Sequence, residues 1–366
     1  MAVRDSPGRV LSSLRVNLLP ALLAVLGLVL LLDLGRRLVI GGLTLSALVR
    51  FLWTGLVRGM AIGLAGIGLS LTYSILGFAN FAHGDYITVG AFAGWVTTFV
   101  VAGVGSVGLD LLVLVSSDAS AGELGINVLS TPVAIAAGLV VAAGITALTT
   151  VALDRVVFRP MRDANGIALL IASVGVALAL RYTLLILFSG SVRTLTTDVP
   201  TTAVGVGSGE VVFRAHDVTV VVLAGLLMLG THLLLQYTKL STAMRAMADN
   251  KELALVTGIP TERVIRTTWL LGGALTGAAG FLIALQLGGM STTLGWDRLL
   301  LVFAAVILGG VGSIYGAIVG GLIIGITIRL SLVWLPNELS IASAFVVLVF
   351  MLLVRPNGLL GRVETV

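Results

Sequence analysis

Asn80, His83 and Asp85 stand close together, near Gly77 and Gly84, in a part of the chain that is otherwise strongly apolar. An amide, an imidazole and a carboxylate so spaced can satisfy one another and pin helix packing, or they can line a wet cavity. Polar groups at membrane depth are costly unless buried in protein or hydrated, so either reading implies a broken or tightly packed helix with the glycines as hinges. An imidazole titrates near neutral pH, but the sequence does not fix the surroundings of His83. Arg181 is the other chemically pointed residue, set well inside the apolar run Gly166–Phe188. A central arginine costs about 2.5 to 3.5 kcal/mol on insertion scales, a cost the surrounding Leu, Ile, Val and Phe offset. Its charge should face the bundle or a cavity, holding a substrate carboxylate or an acidic residue on another helix, or snorkel outward. His232 and Arg329, nearer the ends of their runs, read as snorkelling or packing residues.

The chemistry the chain lacks is equally informative. Cysteine is absent and there are 3 histidines. Thiol chemistry is excluded, no metal-ligand spacing occurs, and neither a metal nor a cofactor is expected. Gly103-Val104-Gly105-Ser106-Val107-Gly108 fits G-x-G-x-x-G, but it follows an apolar run rather than a strand and carries no dinucleotide expectation. No G-x-x-x-x-G-K-[ST] occurs, so the chain has no P-loop of its own. No nucleophile and base are recognisably paired, and an enzyme is not expected.

The elements that position these groups must be membrane helices. Of 366 residues, 58% are hydrophobic and 11% charged, where a soluble domain carries about 25% charged residues. Mean hydropathy is +1.12. Too little polar surface exists to clothe a water-soluble fold of this size, and disorder, a nucleic-acid-binding domain and a disulfide-built module are excluded. The apolar runs are continuous rather than alternating, which points away from a barrel. The reading is an all-α polytopic bundle of about ten spans: 18–34, 59–78, 86–104, 132–153, 166–188, 218–237, 267–287, 299–311, 317–334 and 339–354. Of these, 299–311 is short enough to be re-entrant. Leu38–Trp53, interrupted by Arg50, reads as an interfacial helix. Residues 1–58 thus form an extension with one extra span, and 59–362 the transmembrane domain. Leu34-Gly35-Arg36 offers no cleavage pattern, so the first run is expected to be an uncleaved anchor. Glycine stripes such as Gly59 with Gly63 and Gly272 with Gly277 suit close helix packing.

The net charge of +5 reads as orientation rather than as a nucleic-acid surface. Arg155, Arg159 and Arg162 share one loop, Lys239, Arg245, Lys251, Arg263 and Arg266 another, and Arg4, Arg9, Arg15, Arg355 and Arg362 lie toward the termini. The rule that basic loops stay inside makes these cytoplasmic, with both termini inside and 105–131 and 189–217 outside. Arg36, Arg37, Arg50 and Arg58 resist, falling on the outer side.

The cytoplasmic loop 238–266 carries a helix-start signal at Asp249-Asn250-Lys251-Glu252 and ends at Gly258 and Pro260. Glu252, Ala254 and Gly258 fall at E-x-A-x-x-x-G, similar to the "EAA" loop of ATP-binding-cassette importer permeases, where a short helix docks into the ATPase. Ile75-Leu76-Gly77-Phe78-Ala79-Asn80-Phe81-Ala82-His83-Gly84-Asp85-Tyr86 closely resembles the signature of the branched-chain amino acid permease family of those importers. Arg159-Pro160-Met161-Arg162, Met244-Arg245-Ala246, Leu308-Gly309-Gly310-Val311-Gly312-Ser313-Ile314-Tyr315-Gly316-Ala317 and Arg355-Pro356-Asn357-Gly358-Leu359-Leu360-Gly361-Arg362 follow in the family's order. The resemblance covers about residues 55–362. It departs in the extra N-terminal span, in Asp85 where Glu is common, in Leu253 in place of the middle Ala, and in a longer outer loop at 105–131.

The resemblance implies a cell-membrane permease working with two ATPase subunits, a second homologous permease, and an extracytoplasmic substrate-binding protein that delivers an amino acid. Arg245, Glu252, Ala254 and Gly258 would form the ATPase-docking loop. Asn80, His83, Asp85 and Arg181 would be substrate-pathway candidates, and Gly77, Gly84, Gly309 and Gly316 hinge or packing positions. Ile75-Leu76-Gly77 with Gly84 is echoed by Ile307-Leu308-Gly309 with Gly316, a hint of internal duplication. Permeases for urea and short amides share the same motifs. A gradient-driven carrier needing no ATPase is the alternative from another class.

Overall fold

The computed structural model describes residues 7–104, 121–122 and 124–361, with side chains from Pro20 onward. Arg4, Arg362 and most of the outer loop 105–131 lie outside the described residues, as do the side chains of Arg9 and Arg15. Apolar runs bounded by caps and glycines give twelve helices among the described residues: α1 (Pro7–Ile40), α2 (Leu45–Leu76), α3 (His83–Gly103), α4 (Pro132–Leu153), α5 (Gly166–Phe188), α6 (Ala215–Tyr237), α7 (Lys239–Asp249), α8 (Lys251–Val256), α9 (Thr261–Leu287), α10 (Trp296–Gly309), α11 (Ile314–Leu330) and α12 (Ser340–Val354). Eight of these segments are long and apolar enough to cross a membrane, fewer than the ten expected. The run 18–34 falls within α1, and 299–311 is split between α10, a helix of 14 residues that ends at Gly309, and the turn that follows it. Neither belongs to the eight.

The expected interfacial helix over Leu38–Trp53 does not form as a unit. The chain turns at 41–44, and Leu45 opens a single helix of 32 residues that runs through Arg50 and Arg58 to Leu76. Thr44 caps its start by accepting from the Ala47 amide at 3.2 Å. At ~1.5 Å per residue α2 is roughly 48 Å long, against ~30 Å of hydrocarbon, so it overshoots a single crossing. The arginines had read as the edge of a span, but helix geometry turns Arg58 toward protein rather than lipid.

Three helices form the interior: α2, α3 and α9 are mostly buried, whereas α6 and α12 keep most of their surface outward. Their closeness rests on the expected glycine stripes. A Cβ on Gly59 would stand 2.8 Å from the Leu322 Cα of α11, a separation no larger residue tolerates, so α2 and α11 touch backbone to backbone. Hydroxyls stitch the same core. Thr150 of α4 donates to the Trp269 carbonyl of α9 at 2.9 Å, which keeps a polar group satisfied without water.

Among the described residues strands occur only outside the spans. β1 (Arg193–Thr194), β2 (Thr201–Val206) and β3 (Gly209–Arg214) join α5 to α6, and β4 (Gly289–Met290) follows α9. β2 pairs antiparallel with β3 in a hairpin, and β1 pairs with β4. The loops 154–165 and 238–266 lie at the opposite end, held together by Glu262, which takes Arg159 at 3.4 Å and also bonds Arg162.

Candidate functional site

The chain breaks where the polar signature stands. α2 ends at Gly77, whose φ of +70 closes the helix with its N–H on the Tyr73 carbonyl, and α3 starts six residues later at His83. The intervening backbone is held from outside: the Phe81 amide donates to the Ser173 hydroxyl of α5 at 2.9 Å. Irregular backbone inside a bundle survives only with such partners.

The three signature side chains do not satisfy one another. Asn80 folds back to accept from the Ala82 amide at 3.0 Å. His83, 1% exposed, places Nε2 3.0 Å from the Ala65 carbonyl of α2 and thereby clamps α3 to α2. Asp85 is fully buried and receives the Arg181 guanidinium in a two-pronged pair, Nε at 3.2 Å and Nη2 at 3.0 Å. Trp296 lies 4.3 Å from the same guanidinium carbon, a cation–π contact on its face. Of the three fates foreseen for Arg181, the acidic partner on another helix is the one observed. Arg181 lies roughly 22 Å along α5 from Gly166 at ~1.5 Å per residue, about two-thirds of the way along the helix. Gly84 fits because a Cβ there would already stand 3.1 Å from the Gly295 carbonyl. The Gly295 amide in turn donates to the Thr88 hydroxyl at 3.0 Å, so the starts of α3 and α10 meet beside the ion pair.

Gly309 and Gly316 form a second helix break, between α10 and α11. A Cβ on Gly316 would collide with the Gly309 backbone, and Gly310 and Gly312 have φ of +108 and +81. The segment Arg355–Gly361 returns to this turn: the Leu359 amide donates to the Leu308 carbonyl at 2.9 Å and the Leu360 amide to Gly309 at 2.8 Å. Two motifs far apart in sequence thus form one unit.

The loop 238–266 folds as two short helices. α7 buries Ser241, Met244 and Met247 while Arg245 stays exposed, its Nη2 3.3 Å from the Ser241 hydroxyl. Asn250 caps α8 by accepting from the Leu253 amide at 2.9 Å, as the helix-start signal foretold. Ala254 is buried, Glu252 is exposed, and Leu253, Leu255 and Val256 point outward. Gly258, at φ +84, reverses the chain. Lys251 of α8 also lines a cavity of about 80 Å³ with Ile75, Leu76 and Phe78 of the first helix break, and with Asp154 and Arg162.

One residue, Arg298, escaped the sequence reading. It lines a second cavity with Arg58 and Arg329. Arg329, expected to snorkel or to pack, has its Nε buried without a partner. Arg58 stands out in the sequence through its violation of the charge rule. His232 bonds the Tyr315 hydroxyl at 2.8 Å, a packing contact. Among the described residues no His/Asp/Glu cluster could hold a metal.

Residues 51–354 match the family described as branched-chain amino acid transport system / permease component. The chain is 31% identical to the "High-affinity branched-chain amino acid transport system permease protein LivH" of Escherichia coli (strain K12) over 317 residues, 86% of this chain and 95% of that protein. It is 30% identical to the protein of the same name in Salmonella typhimurium, with the same coverage. To "High-affinity branched-chain amino acid transport system permease protein BraD" of Pseudomonas aeruginosa it is 29% identical, over 85% of this chain and 94% of that one. No solved structure matches it significantly.

Proposed function

The chain belongs to the branched-chain amino acid permease family and is a multi-pass membrane transport protein; from that premise we propose that it carries branched-chain or related amino acids inward, by alternating access, as a subunit of an ATP-driven importer. Its companions are two ATPase subunits, a second homologous permease and an extracytoplasmic substrate-binding protein. Both termini and the loop 238–266 lie in the cytoplasm.

One observation carries this reading. α8 hides Ala254 against the bundle and presents Leu253, Leu255 and Val256 outward on a loop otherwise rich in charge. Exposed apolar groups of this kind favour a partner's groove, read as anchors on one short helix. A push on α8 has a short path inward, because Lys251 shares its cavity with the Ile75–Phe78 break. Gly77 and Gly84 on one side, and Gly309 and Gly316 on the other, are the points about which half-helices would swing. Asp85 with Arg181, Asn80 and His83 hold the first swinging unit together, and Arg245 and Glu252 frame the ATPase contact.

The test is leucine uptake into proteoliposomes holding the permease pair and ATPases, with the binding protein outside the membrane face it serves. Uptake should require ATP. Gly258→Trp, which puts a bulky side chain on a left-handed backbone, and Glu252→Trp should leave membrane insertion intact yet separate ATP hydrolysis from uptake. Unchanged uptake in both would remove α8 as the coupling element. Movement of leucine through this chain alone, driven by a gradient, would overturn the importer reading, and selective urea uptake would reassign the cargo. Since the chain has no cysteine, Leu253→Cys gives a single thiol whose labelling from the cytoplasmic side alone checks the orientation.

A further inference from the structure

Three arginines from three helices converge on one open-sided cavity of about 80 Å³: Arg58 of α2, Arg298 of α10 and Arg329 of α11, joined by Gln286 of α9. They lie close enough for Arg58 to feel the charges of both others. Among the described residues no carboxylate forms an ion pair with any of the three. Arg298 spends one nitrogen on the Leu294 carbonyl at 2.7 Å, and Arg329 Nε is buried with nothing to donate to. The nearest acids are otherwise engaged. Asp217 is held by Arg214 through two bonds of 2.9 and 3.0 Å, and Asp297, beside Arg298, accepts from the Thr293 hydroxyl and is exposed.

Like charges gathered in a partly buried cleft repel one another and lack donors' partners, so the arrangement is unfavourable unless an anion completes it. Ala61 and Ile62, one turn along α2 from Arg58, and Ile283 and Leu287, beside Gln286 on α9, add an aliphatic lining. The space itself is about 80 Å³, below the ~300–1,000 Å³ that encloses a whole small molecule, so it takes the anionic end of a ligand and leaves the rest in its open side. Gln286 and Leu287 close α9 just before β4, and Arg329 senses Arg214 and Asp217 at the foot of the β2–β3 hairpin. The cavity therefore opens toward the strand-bearing end, opposite α8.

We infer that this cavity is a carboxylate-binding site for an aliphatic cargo molecule, with the three guanidinium groups on the anion and the aliphatic lining beside its hydrocarbon tail. An amino acid enters carboxylate first, its ammonium group left to the Gln286 carboxamide oxygen and to water. This deepens the importer reading and rests on it for the identity of the cargo.

The test is binding to the full chain in phosphatidylcholine nanodiscs, using radiolabelled leucine with three competitors. Unlabelled leucine and 4-methylpentanoate, which keep the carboxylate and the branched tail, should displace the label, and leucinamide, which lacks the charge, should not. Arg58→Gln, Arg298→Gln and Arg329→Gln should each weaken binding about tenfold or more, the loss of one charge-assisted hydrogen bond, while Arg58→Lys retains part of it. Each variant is first checked for wild-type elution and helix content, so that misfolding is separated from lost recognition. Equal displacement by leucinamide, or unaltered binding in all three variants, overturns the proposal. So does displacement by phosphatidylglycerol or sulfate that 4-methylpentanoate cannot match, since the cavity would then belong to a lipid phosphate or a free inorganic anion. ATP-driven uptake by the assembled importer is read separately: if uptake is ATP-dependent but the variants bind and transport as wild type, only the cavity assignment fails. If no ATP-dependent uptake occurs while carboxylate binding persists, the importer reading fails and the site stands without an assigned cargo.

Discussion

Asp85 with Arg181, and Arg58 with Arg298 and Arg329, place the same cationic group inside one bundle and treat it in opposite ways. In the first, the guanidinium is matched on its edge by a fully buried carboxylate and on its face by Trp296. Every obligation is met within the chain, so Arg181 is a poor candidate for seizing a solute. In the second, three guanidinium groups share a cavity and no carboxylate of the described chain pairs with them. A compensated arginine fixes two helices to each other, whereas an uncompensated cluster awaits something from outside. Charge in a membrane protein thus has to be read by what remains unpaired, not by its presence in a span.

That contrast makes opposite demands on mutants. The largest effect is expected from Arg181→Met, which strands Asp85 in the core and should cost about 3–5 kcal/mol of stability. Thermal unfolding in detergent would show a clear fall in Tm, and adding Asp85→Leu should restore most of it, because a well-packed apolar pair replaces a buried ion pair at little net cost. If the double variant is as unstable as the single one, the pair does more than hold α3 to α5. Trp296→Leu should cost less, about 1–2 kcal/mol from the lost cation–π contact, with the same Tm measurement as the check. Smallest in stability is Arg58→Gln. It removes one of three mutually repelling charges and should shift Tm by less than Trp296→Leu does, while leucine binding falls as described above. A collapse of Tm in that variant would erase the distinction between the two regions.

The sequence made much of this visible. Runs such as Gly166–Phe188 announced their helices to the residue because an unbroken apolar stretch of that length is bounded by polar residues on both sides. The Asn250 cap and the Gly258 reversal were readable since both are local rules of backbone hydrogen bonding. Polar partners were not readable. Asp85 and Arg181 are separated by 96 residues, and no local pattern says which of several distant helices will face which. His83, too, looked like a neighbour of Asp85, yet the turn of α3 sends it to the Ala65 carbonyl instead. Hydropathy failed at α2 for a different reason. It treats Arg50 and Arg58 as interruptions, although a helix may keep its course through a charge that faces protein.

The closure of the α10–α11 turn has a consequence for how the molecule is made. The amides of Leu359 and Leu360, which occupy the carbonyls of Leu308 and Gly309, are synthesised only after α11 and α12 have been laid down. Until then those carbonyls have only water or lipid headgroups to turn to, and α10 lacks its final fastening. Maturation of the second helix break is thereby deferred to the end of translation, so a nascent chain would pass through the translocation machinery with one of its two pivots still unlatched.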